Sequence, residues 1–415
     1  DIYNLFTQAT ISHKTSLQAE YRYHDDEQGE LALLFDPENF FPDWRELQTF
    51  ESFRVGLRHL FTPGSDLLIS CNFLKKDADS STTGFRNVSD EDGYMAEAQY
   101  LKSIGKLDLI SGVGYFDINS NETEYYSSYS PQEIDSTFRH TNLYLYSLIS
   151  YPRDITWALG VSADFFDENN ADLDKDQLNP KFGFSWDLAR DTTLRAAIFR
   201  TLKRSLLTDQ TLEPTQVAGF NQFYDDGNAA DTWRYGLGVD HNISSRLAIG
   251  AEASMRELEE KGSTPPSMEI IAYDSEEQLF RAYLYWMPHV RWSLAPEYSF
   301  ERIENPLDFM KQDVENLDTH RFALGISFFH PCGFSASLKP IYIDQAGDFS
   351  VPPEGPPPPF FASEYGEDHF WVVDAAVRYR LPKHFGLVSL EIKNLFDESF
   401  QFQDSDPSSS SIFTD

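Results

Sequence analysis

The segment ITWALGVSADF, residues 155–165, decides the fold, because its side chains alternate between apolar and polar. One set holds Ile155, Trp157, Leu159, Val161, Ala163 and Phe165, and the other holds Thr156, Gly160, Ser162 and Asp164. Successive side chains of a β-strand point to opposite faces of the sheet. This period of two therefore predicts a strand with one apolar and one polar face.

The same alternation recurs along the chain in segments of about ten residues. It is clear in residues 232–243, 246–257 and 369–381. A soluble sandwich also alternates, but it turns its apolar face inward. Two features favour a membrane barrel instead. The polar face mixes Gly, Ser, Arg and Glu, which suits a water-filled interior, and the apolar face ends in Trp, Tyr and Phe, as interfacial girdles do.

The connections between these segments alternate between short and long. Short turns are expected at residues 13–15, 62–65, 103–106, 152–154, 188–192, 243–246, 288–291, 331–333 and 382–386. Long polar loops are expected at residues 25–48, 77–92, 119–139, 167–178, 203–231, 259–275, 305–318 and 345–368. Short periplasmic turns and long extracellular loops are typical of outer-membrane barrels.

We therefore predict an all-β fold, an antiparallel transmembrane β-barrel of the bacterial outer membrane. Roughly 18 strands are visible, of a total of about 20–22. Residues 1–415 are expected to form a single barrel domain. We further expect the chain to be truncated at both ends, with a plug or periplasmic domain and the last strand absent.

Composition excludes several other classes of protein. The chain has 33 Lys and Arg against 67 Asp and Glu, so its net charge of -34 argues against a nucleic-acid partner. Aromatic residues make up 15% of the chain, which excludes a disordered protein. Cys71 and Cys332 are too few for a disulfide framework or a zinc site. No HExxH, GxSxG or P-loop motif is present, so an enzyme is not expected.

The most specific motif lies near the end of the chain, where residues 388–396 read VSLEIKNLF. Asn394, Leu395, Phe396 and Asp397 match the NLFD ending of the penultimate strand of TonB-dependent receptors, and Phe400 stands where Tyr is usual. Residues 178–186, 193–201 and 213–220 resemble the central region of the same barrels, although Ser205 stands where Pro is common. The resemblance covers most of residues 177–415.

This resemblance implies a ligand-gated importer that takes up a ligand such as a metal chelate or a glycan. It also implies a plug domain and, through that plug, the TonB complex as a partner. Two alternatives stay open: a plugless export or scaffold barrel attached to a periplasmic tetratricopeptide domain, and an outer-membrane enzyme. Outer-membrane lipid and lipopolysaccharide are the other expected partners, with divalent cations bridging the acidic loops to lipopolysaccharide phosphates.

Several charged residues are candidates for the site. Arg195, Arg200, Lys203 and Arg204 form a basic cluster near the start of a long loop, where they would guide an anionic substrate. The alternative is that these residues pair with Glu252 and Glu257 on the barrel wall. Arg378 and Arg380 lie on the polar face of a later strand and are further candidates for the interior.

A possible metal site is the run Asp172, Asp174 and Asp176, because alternate carboxylates in a loop can bind one calcium ion. The EF-hand pattern is incomplete here, since Gln177 and Gly183 occupy positions where Gly and Glu are required. The alternative is a solvated acidic loop. We expect no other cofactor.

Overall fold

The computed structural model describes residues 1–29, 33–35, 42–127, 130–169, 173–204, 210–223, 226–264, 269–305, 314–351 and 362–405. The strands are β1 (Ile2–Ser12), β2 (Thr15–Gln28), β3 (Arg45–Thr62), β4 (Ser65–Thr82), β5 (Phe85–Ile104), β6 (Leu107–Tyr126), β7 (Gln132–Ser150), β8 (Ile155–Glu168), β9 (Leu173–Ala189), β10 (Thr192–Leu202), β11 (Gln216–Val217), β12 (Phe220–Asn221), β13 (Asp231–Ser244), β14 (Leu247–Thr264), β15 (Glu269–His289), β16 (Trp292–Glu304), β17 (Val314–Phe329), β18 (Phe334–Val351), β19 (Ala362–Arg380) and β20 (Leu387–Ile392). A 3-10 turn covers Pro382–His384.

Within the described residues, 18 of these strands form one sheet, and β11 pairs with β12 in a small separate hairpin. Neighbours along the chain pair in antiparallel fashion, as β2 does with β3 and β18 with β19. This confirms the predicted antiparallel all-β fold and the expected number of visible strands. Among the described residues, no helix has the length and apolar character needed to cross a membrane.

Backbone contacts group the chain into two compact units. The first unit comprises Asp1–Leu31, Phe41–Phe184 and Ala197–Trp233, and the second comprises Ala32–Phe40, Ser185–Ala196 and Arg234–Asp415. The first unit therefore contains β2 to β8 in full or in large part, and the second contains β14 to β20. That the chain is one barrel domain remains a prediction.

The two faces of the sheet differ in the sense that the alternation predicts. On β7, Tyr144 and Tyr146 are 5% and 4% exposed, whereas Leu143 and Leu145 are each 47% exposed. On β19, Val372 is 0% exposed and its neighbour Trp371 is 52% exposed. We call the face with the buried side chains the inner face and the other the outer face. Apolar rows on the outer face are thus available to lipid rather than packed against one another.

The short turns lie where they were predicted, and several are tight two-residue connections. Gly64 and Gly105 complete two of them with φ of 74° and 65°, a left-handed conformation that glycine adopts without strain. The turn between β19 and β20 spans residues 381–386 and includes the 3-10 turn. These turns fix the register of the hairpins that they connect, and the register determines which side chains of each strand lie on the inner face.

Most of the predicted long loops are shorter than expected, and those boundaries were wrong. Thr83 and Gly84 alone join β4 to β5, so nearly all of the predicted 77–92 loop is strand. The segment between β6 and β7 shrinks likewise to residues 127–131. Beyond the apolar band both faces carry polar residues, so the alternation disappears while the backbone ladder continues. Cross-strand ion pairs such as Arg86 Nη2 to Asp79 Oδ2, at 2.6 Å, support these extensions. The 203–231 loop is present as predicted.

Asp43 holds the tip of the β4–β5 hairpin. Its Oδ1 accepts a hydrogen bond from Thr82 Oγ1 at 2.9 Å, and its Oδ2 accepts one from the Thr83 backbone N–H at 2.8 Å and one from Thr83 Oγ1. These hydrogen bonds, with that of the Thr83 hydroxyl foremost, lower the pKa of the Asp43 carboxyl. The segment before β3 is thereby fixed to a neighbouring hairpin.

We expect acid to release this contact. Because the pKa of Asp43 is lower in the folded protein, its stabilisation is complete above the ordinary carboxyl pKa and is lost as the pH falls through the lowered value. The protection of the Thr83 amide, meaning the slowing of its hydrogen exchange relative to an unstructured amide at the same pH, should therefore be high at neutral pH and lower in acid. Asp43→Asn should exchange faster at neutral pH, whereas Asp154→Asn, in a turn at the other end of the strands, should behave as wild type. Equal protection in wild type and Asp43→Asn would contradict the prediction.

Candidate functional site

A segment of the loop between β10 and β13 lies against the inner face of the first unit. We call residues 210–223 the infolded loop. Glu97 on β5 accepts hydrogen bonds from Thr211 Oγ1 at 2.5 Å and from the Leu212 N–H at 2.9 Å. The side-chain amide of Gln99 donates to the Leu212 carbonyl. β10 is only 11 residues long. The chain therefore leaves the sheet before the ends of the longer strands and turns toward the inner face.

A buried ion pair holds the infolded loop in place. Arg204 Nη2 lies 2.9 Å from Glu213 Oε2, and the two side chains are 1% and 2% exposed. Tyr146 donates its hydroxyl to Glu213 Oε1 at 2.6 Å. The Arg204 guanidinium also lies 4.9 Å from the ring centre of Phe223 and 5.3 Å from that of Phe116. Both charged groups therefore have charged, polar or aromatic neighbours, although the buried Nε of Arg204 has no hydrogen-bond partner among the described residues.

Beside this pair, Asp164 is the acceptor at the centre of a buried polar network. It receives hydrogen bonds from His140 Nε2 at 2.9 Å, Asn142 Nδ2 at 2.7 Å, Asn179 Nδ2 at 2.6 Å and Ser162 Oγ at 2.9 Å. A nucleophilic serine would have to donate to the imidazole, but Ser162 donates to the carboxylate. The network holds these side chains of β7, β8 and β9 in place on the inner face. It gives no support to the alternative that the protein is an enzyme.

The predicted basic residues do not form one cluster. Arg195 pairs with Asp240 at 3.0 Å and with Glu252 at 3.1 Å, both in the second unit. Arg200 pairs with Asp231 in the first unit, with Nε to Oδ1 at 2.8 Å. The Lys203 N–H donates to the Ala230 carbonyl at 2.8 Å.

Pairing on the wall, the alternative stated for this cluster, is thus found for Arg195 and Glu252. Glu257 lies near the Tyr235 hydroxyl, at 3.5 Å, on the other face of its strand. Arg378 pairs with Glu391 at 2.6 Å, and the Arg380 N–H donates to Gly333 at 2.9 Å, both near the last short turns. Whether these residues contact a ligand remains a prediction.

The inner face of the second unit carries charged side chains in register on adjacent strands. Glu252 on β14 lies opposite Arg281 on β15, Arg281 lies opposite Ser299 on β16, and Ser299 lies opposite Arg321 on β17. Arg195 on β10 lies near these residues, because it forms an ion pair with Glu252. We call Arg195, Arg281 and Arg321 the inner arginine row.

The second unit also has an inward segment of its own. We call residues 33–35 and 400–404 the clasp. The Leu33 N–H donates to Asp404 Oδ2 at 2.8 Å, and the Phe35 N–H donates to Gln403 Oε1 at 3.1 Å. Phe400 stacks on Phe370 with ring centres 4.3 Å apart. The clasp covers an apolar part of the inner face that contains Ala323, Ile341, Ile343, Phe370 and Val372.

The NLFD motif forms the turn that leads from β20 into the clasp. Asn394 and Asp397 have φ of 48° and 55°, a conformation that Asn and Asp tolerate better than most residues. The Asn394 side chain accepts from the Glu398 N–H and donates to the Glu398 carbonyl, both at 2.9 Å. The motif therefore has a structural role, because it diverts the chain from the sheet onto the inner face.

The predicted calcium ligands lie in a different setting from the one expected. Asp174 and Asp176 are exposed residues of β9 rather than loop residues, and Asp172 lies outside the described residues. Alternate side chains of a strand stand about 6.6 Å apart, which disfavours one shared ion. Within the described ranges, no group of three potential metal ligands is present. The calcium site remains a prediction.

Sequence patterns did not single out the residues that now define the two inner surfaces. Arg281 and Arg321 lie on β15 and β17, outside the segments in which the alternation of apolar and polar residues is clearest. Their alignment across the three strands β15, β16 and β17 depends on register, which no motif specifies. Glu97 and Glu213 are separated by the whole of β6 to β10, and no local signal connects them.

Comparison with solved structures identifies the fold. The chain is 12% identical to the ferripyoverdine receptor of the outer membrane of Pseudomonas aeruginosa, with a TM-score of 0.71 over 96% of this chain and 61% of the receptor. The alcaligin outer-membrane receptor of Bordetella pertussis is 13% identical, with a TM-score of 0.65 over 95% and 65%. The ferric preacinetobactin receptor of Acinetobacter baumannii is 10% identical, with a TM-score of 0.66 over 96% and 68%.

No family model and no curated protein matches the sequence. The chain spans less than two thirds of the length of the first two of these receptors. The predicted resemblance to TonB-dependent receptors is confirmed in its fold: the 18-stranded antiparallel sheet is similar to the barrel portion of these outer-membrane receptors.

Proposed function

We propose that this chain is the barrel of a bacterial outer-membrane transporter, which admits a ligand along its inner face. The sidedness of the sheet is the observation that supports the proposal most directly. Leu143 and Leu145 are exposed on the outer face, whereas Tyr144 between them and Asn142 before them are 5% and 1% exposed on the inner face. A soluble protein with such exposed apolar rows would aggregate, whereas hydrocarbon stabilises them.

The proposed ligand is a ferric chelate. Three similar structures are receptors whose names state ferripyoverdine, alcaligin and ferric preacinetobactin as ligands. The inner face described above offers arginines and carboxylates, which can bind the polar groups of such a chelate. A plug domain and the TonB complex belong to the proposal as partners of the full-length protein, and outer-membrane lipid and lipopolysaccharide as its surroundings.

Iron uptake tests this proposal. Gram-negative cells that produce the full-length protein and lack their own ferric receptors should accumulate iron-55 from at least one of ferric citrate, a ferric catecholate and a ferric hydroxamate. Dissipating the proton-motive force should abolish the uptake if TonB is the partner. Accumulation equal to that of empty-vector cells for all three chelates would refute ferric-chelate import.

A further inference from the structure

We propose that Arg321, together with Ser299 and Arg281, forms an anion-binding site on the inner face of the second unit. The site would take a carboxylate or phosphate group. This inference deepens the proposed function, because the anionic group would belong to the transported ligand. Its physical basis is nevertheless independent of transport, since it concerns only the local geometry and charge of β15 to β17.

Register brings the three side chains together. Ser299 lies directly opposite Arg281 on one side and directly opposite Arg321 on the other. Directly opposed residues have Cβ atoms about 4.5–5.5 Å apart, so the two arginines flank one serine hydroxyl. Two guanidinium groups and a hydroxyl provide several donors on one surface, which is the arrangement that a carboxylate or phosphate accepts.

Charge pairing distinguishes Arg321 from the rest of the inner arginine row. Arg195 is bound by Asp240 and Glu252, and Arg281 Nη2 lies 2.5 Å from Glu297 Oε2. Arg321 has no ion pair with any carboxylate in the part of the chain that the structure describes, and its Nε is buried there without a hydrogen-bond partner. Glu301 is the next inner-face residue after Ser299 on β16, and it lies opposite Thr319 rather than Arg321.

The overall charge of the protein makes this arginine unusual. With 67 acidic residues against 33 basic ones, nearly any arginine could find a carboxylate. At physiological ionic strength, interactions between exposed charges are screened beyond about 8 Å, so the net charge of the chain does not prevent a local anion from binding. A guanidinium that has no carboxylate partner on the inner face is available to bind the carboxylate or phosphate group of a ligand.

The surroundings of the site favour a ligand that is anionic at one end. On the β18 side, Arg321 lies opposite Ile343, which is 0% exposed under the clasp. Along β17, the flanking residues Thr319 and Ala323 are 9% and 5% exposed. On the other side, Arg281 is 44% exposed. Arg321 therefore lies where the covered apolar part of the inner face meets its open polar part. An anion approaching from the open part would reach Arg281 and Arg321 without displacing the clasp.

Calorimetric titration of the purified chain in detergent with citrate, and separately with inorganic phosphate, tests the proposal. Wild type is expected to bind at least one of these anions, and Arg321→Gln should weaken that binding about tenfold or more, as expected for hydrogen bonds to a charged partner. Arg302→Gln is the matched control, because Arg302 lies on the neighbouring β16, carries the same charge and points to the outer face, where it pairs with Asp318 at 2.6 Å. It should bind as wild type does.

Absence of binding to wild type, equal binding by wild type and Arg321→Gln, or equal weakening by Arg302→Gln would each overturn the proposal. Identical circular dichroism and thermal unfolding of the three proteins would confirm that the substitution leaves the fold intact. Because the assay needs no transport, anion binding without iron uptake would retain this site and refute the proposed function, and uptake without anion binding would do the reverse.

Discussion

Replacement of Gly112 by alanine is expected to destabilise the folded chain by about 1–3 kcal/mol, the range for overpacking a well-packed site. Gly112 on β6 lies directly opposite Tyr144 on β7, and the tyrosine ring lies over the glycine. A Cβ at this position would overlap the end of that ring and would lie 2.8 Å from the Ala98 carbonyl oxygen. The ring cannot simply swing away, because its hydroxyl reaches Gln99 at 3.3 Å and its side chain is buried.

Denaturant unfolding in detergent micelles measures the effect. The matched control is Gly325→Ala, because the nearest atom to a Cβ there is Ala295 Cβ at 3.4 Å, an ordinary contact. Gly112→Ala should be less costly when Tyr144→Ala is also present, since the overlap with the ring is then gone and only the close contact with the Ala98 carbonyl oxygen remains. Additive effects of the two substitutions, or a Gly112→Ala protein as stable as the Gly325→Ala control, would show that the ring does not depend on the glycine.

The same pairing recurs at two other places in the sheet. Gly160 on β8 lies opposite Tyr146, and a Cβ at Gly160 would lie 2.7 Å from the ring. Gly250 on β14 lies opposite Tyr283, whose hydroxyl reaches Asp240. In each pair a tyrosine lies across the glycine on the inner face and sends its hydroxyl to a polar group beyond. These three glycines therefore provide the space into which the tyrosine rings pack.

The alternation of side chains predicted much of this fold, and its limits have a physical cause. In residues 155–165 one face contacts an apolar environment and the other a polar one, so each side chain reports its own facing. In residues 77–92 both faces are polar, and the strands extend without leaving an alternating signal. A pattern of hydrophobicity detects a strand only where the two faces differ in their surroundings.

The candidate site was less predictable, because it depends on contacts between distant parts of the chain. Arg204 was recognised as a candidate, but its partner Glu213 lies in the same loop and follows no helical or strand spacing. Phe35 and Gln403 are joined across 368 residues. Interactions of this kind follow from strand register and loop path, neither of which is encoded in a local motif.

Removal of one member of the Arg204–Glu213 pair is expected to release the infolded loop. Arg204→Met would leave Glu213 buried without its ion-pair partner, with a hydrogen bond from the Tyr146 hydroxyl and with Lys181 as a nearby buried cation. The loss of one partner from a buried pair typically costs about 3–5 kcal/mol, because the remaining charge is uncompensated. The loop can avoid that cost by leaving the inner face and exposing Glu213 to water. Local opening of residues 210–223, rather than global unfolding, is therefore the expected response.

Hydrogen exchange of the Leu212 and Gln222 amides measures this opening, because both donate within or from the infolded loop. Arg204→Met should speed their exchange strongly, and Glu213→Leu should do the same. The double variant Arg204→Met/Glu213→Leu should regain much of the protection, since it buries neither charge. Arg86→Met is the control, because its pair with Asp79 is exposed and pairs of that kind contribute about 1 kcal/mol or less.

The outcome of this cycle decides what holds the infolded loop. If the double variant exchanges as fast as the single ones, the specific ion pair is required and apolar replacements cannot substitute for it. If all three variants retain wild-type protection, the bonds of Glu97 to Thr211 and Leu212 suffice, and the pair is not the anchor. Ion conductance in planar bilayers should rise with exchange in the single variants, because a loop that leaves the inner face uncovers the polar rows of β5 to β8.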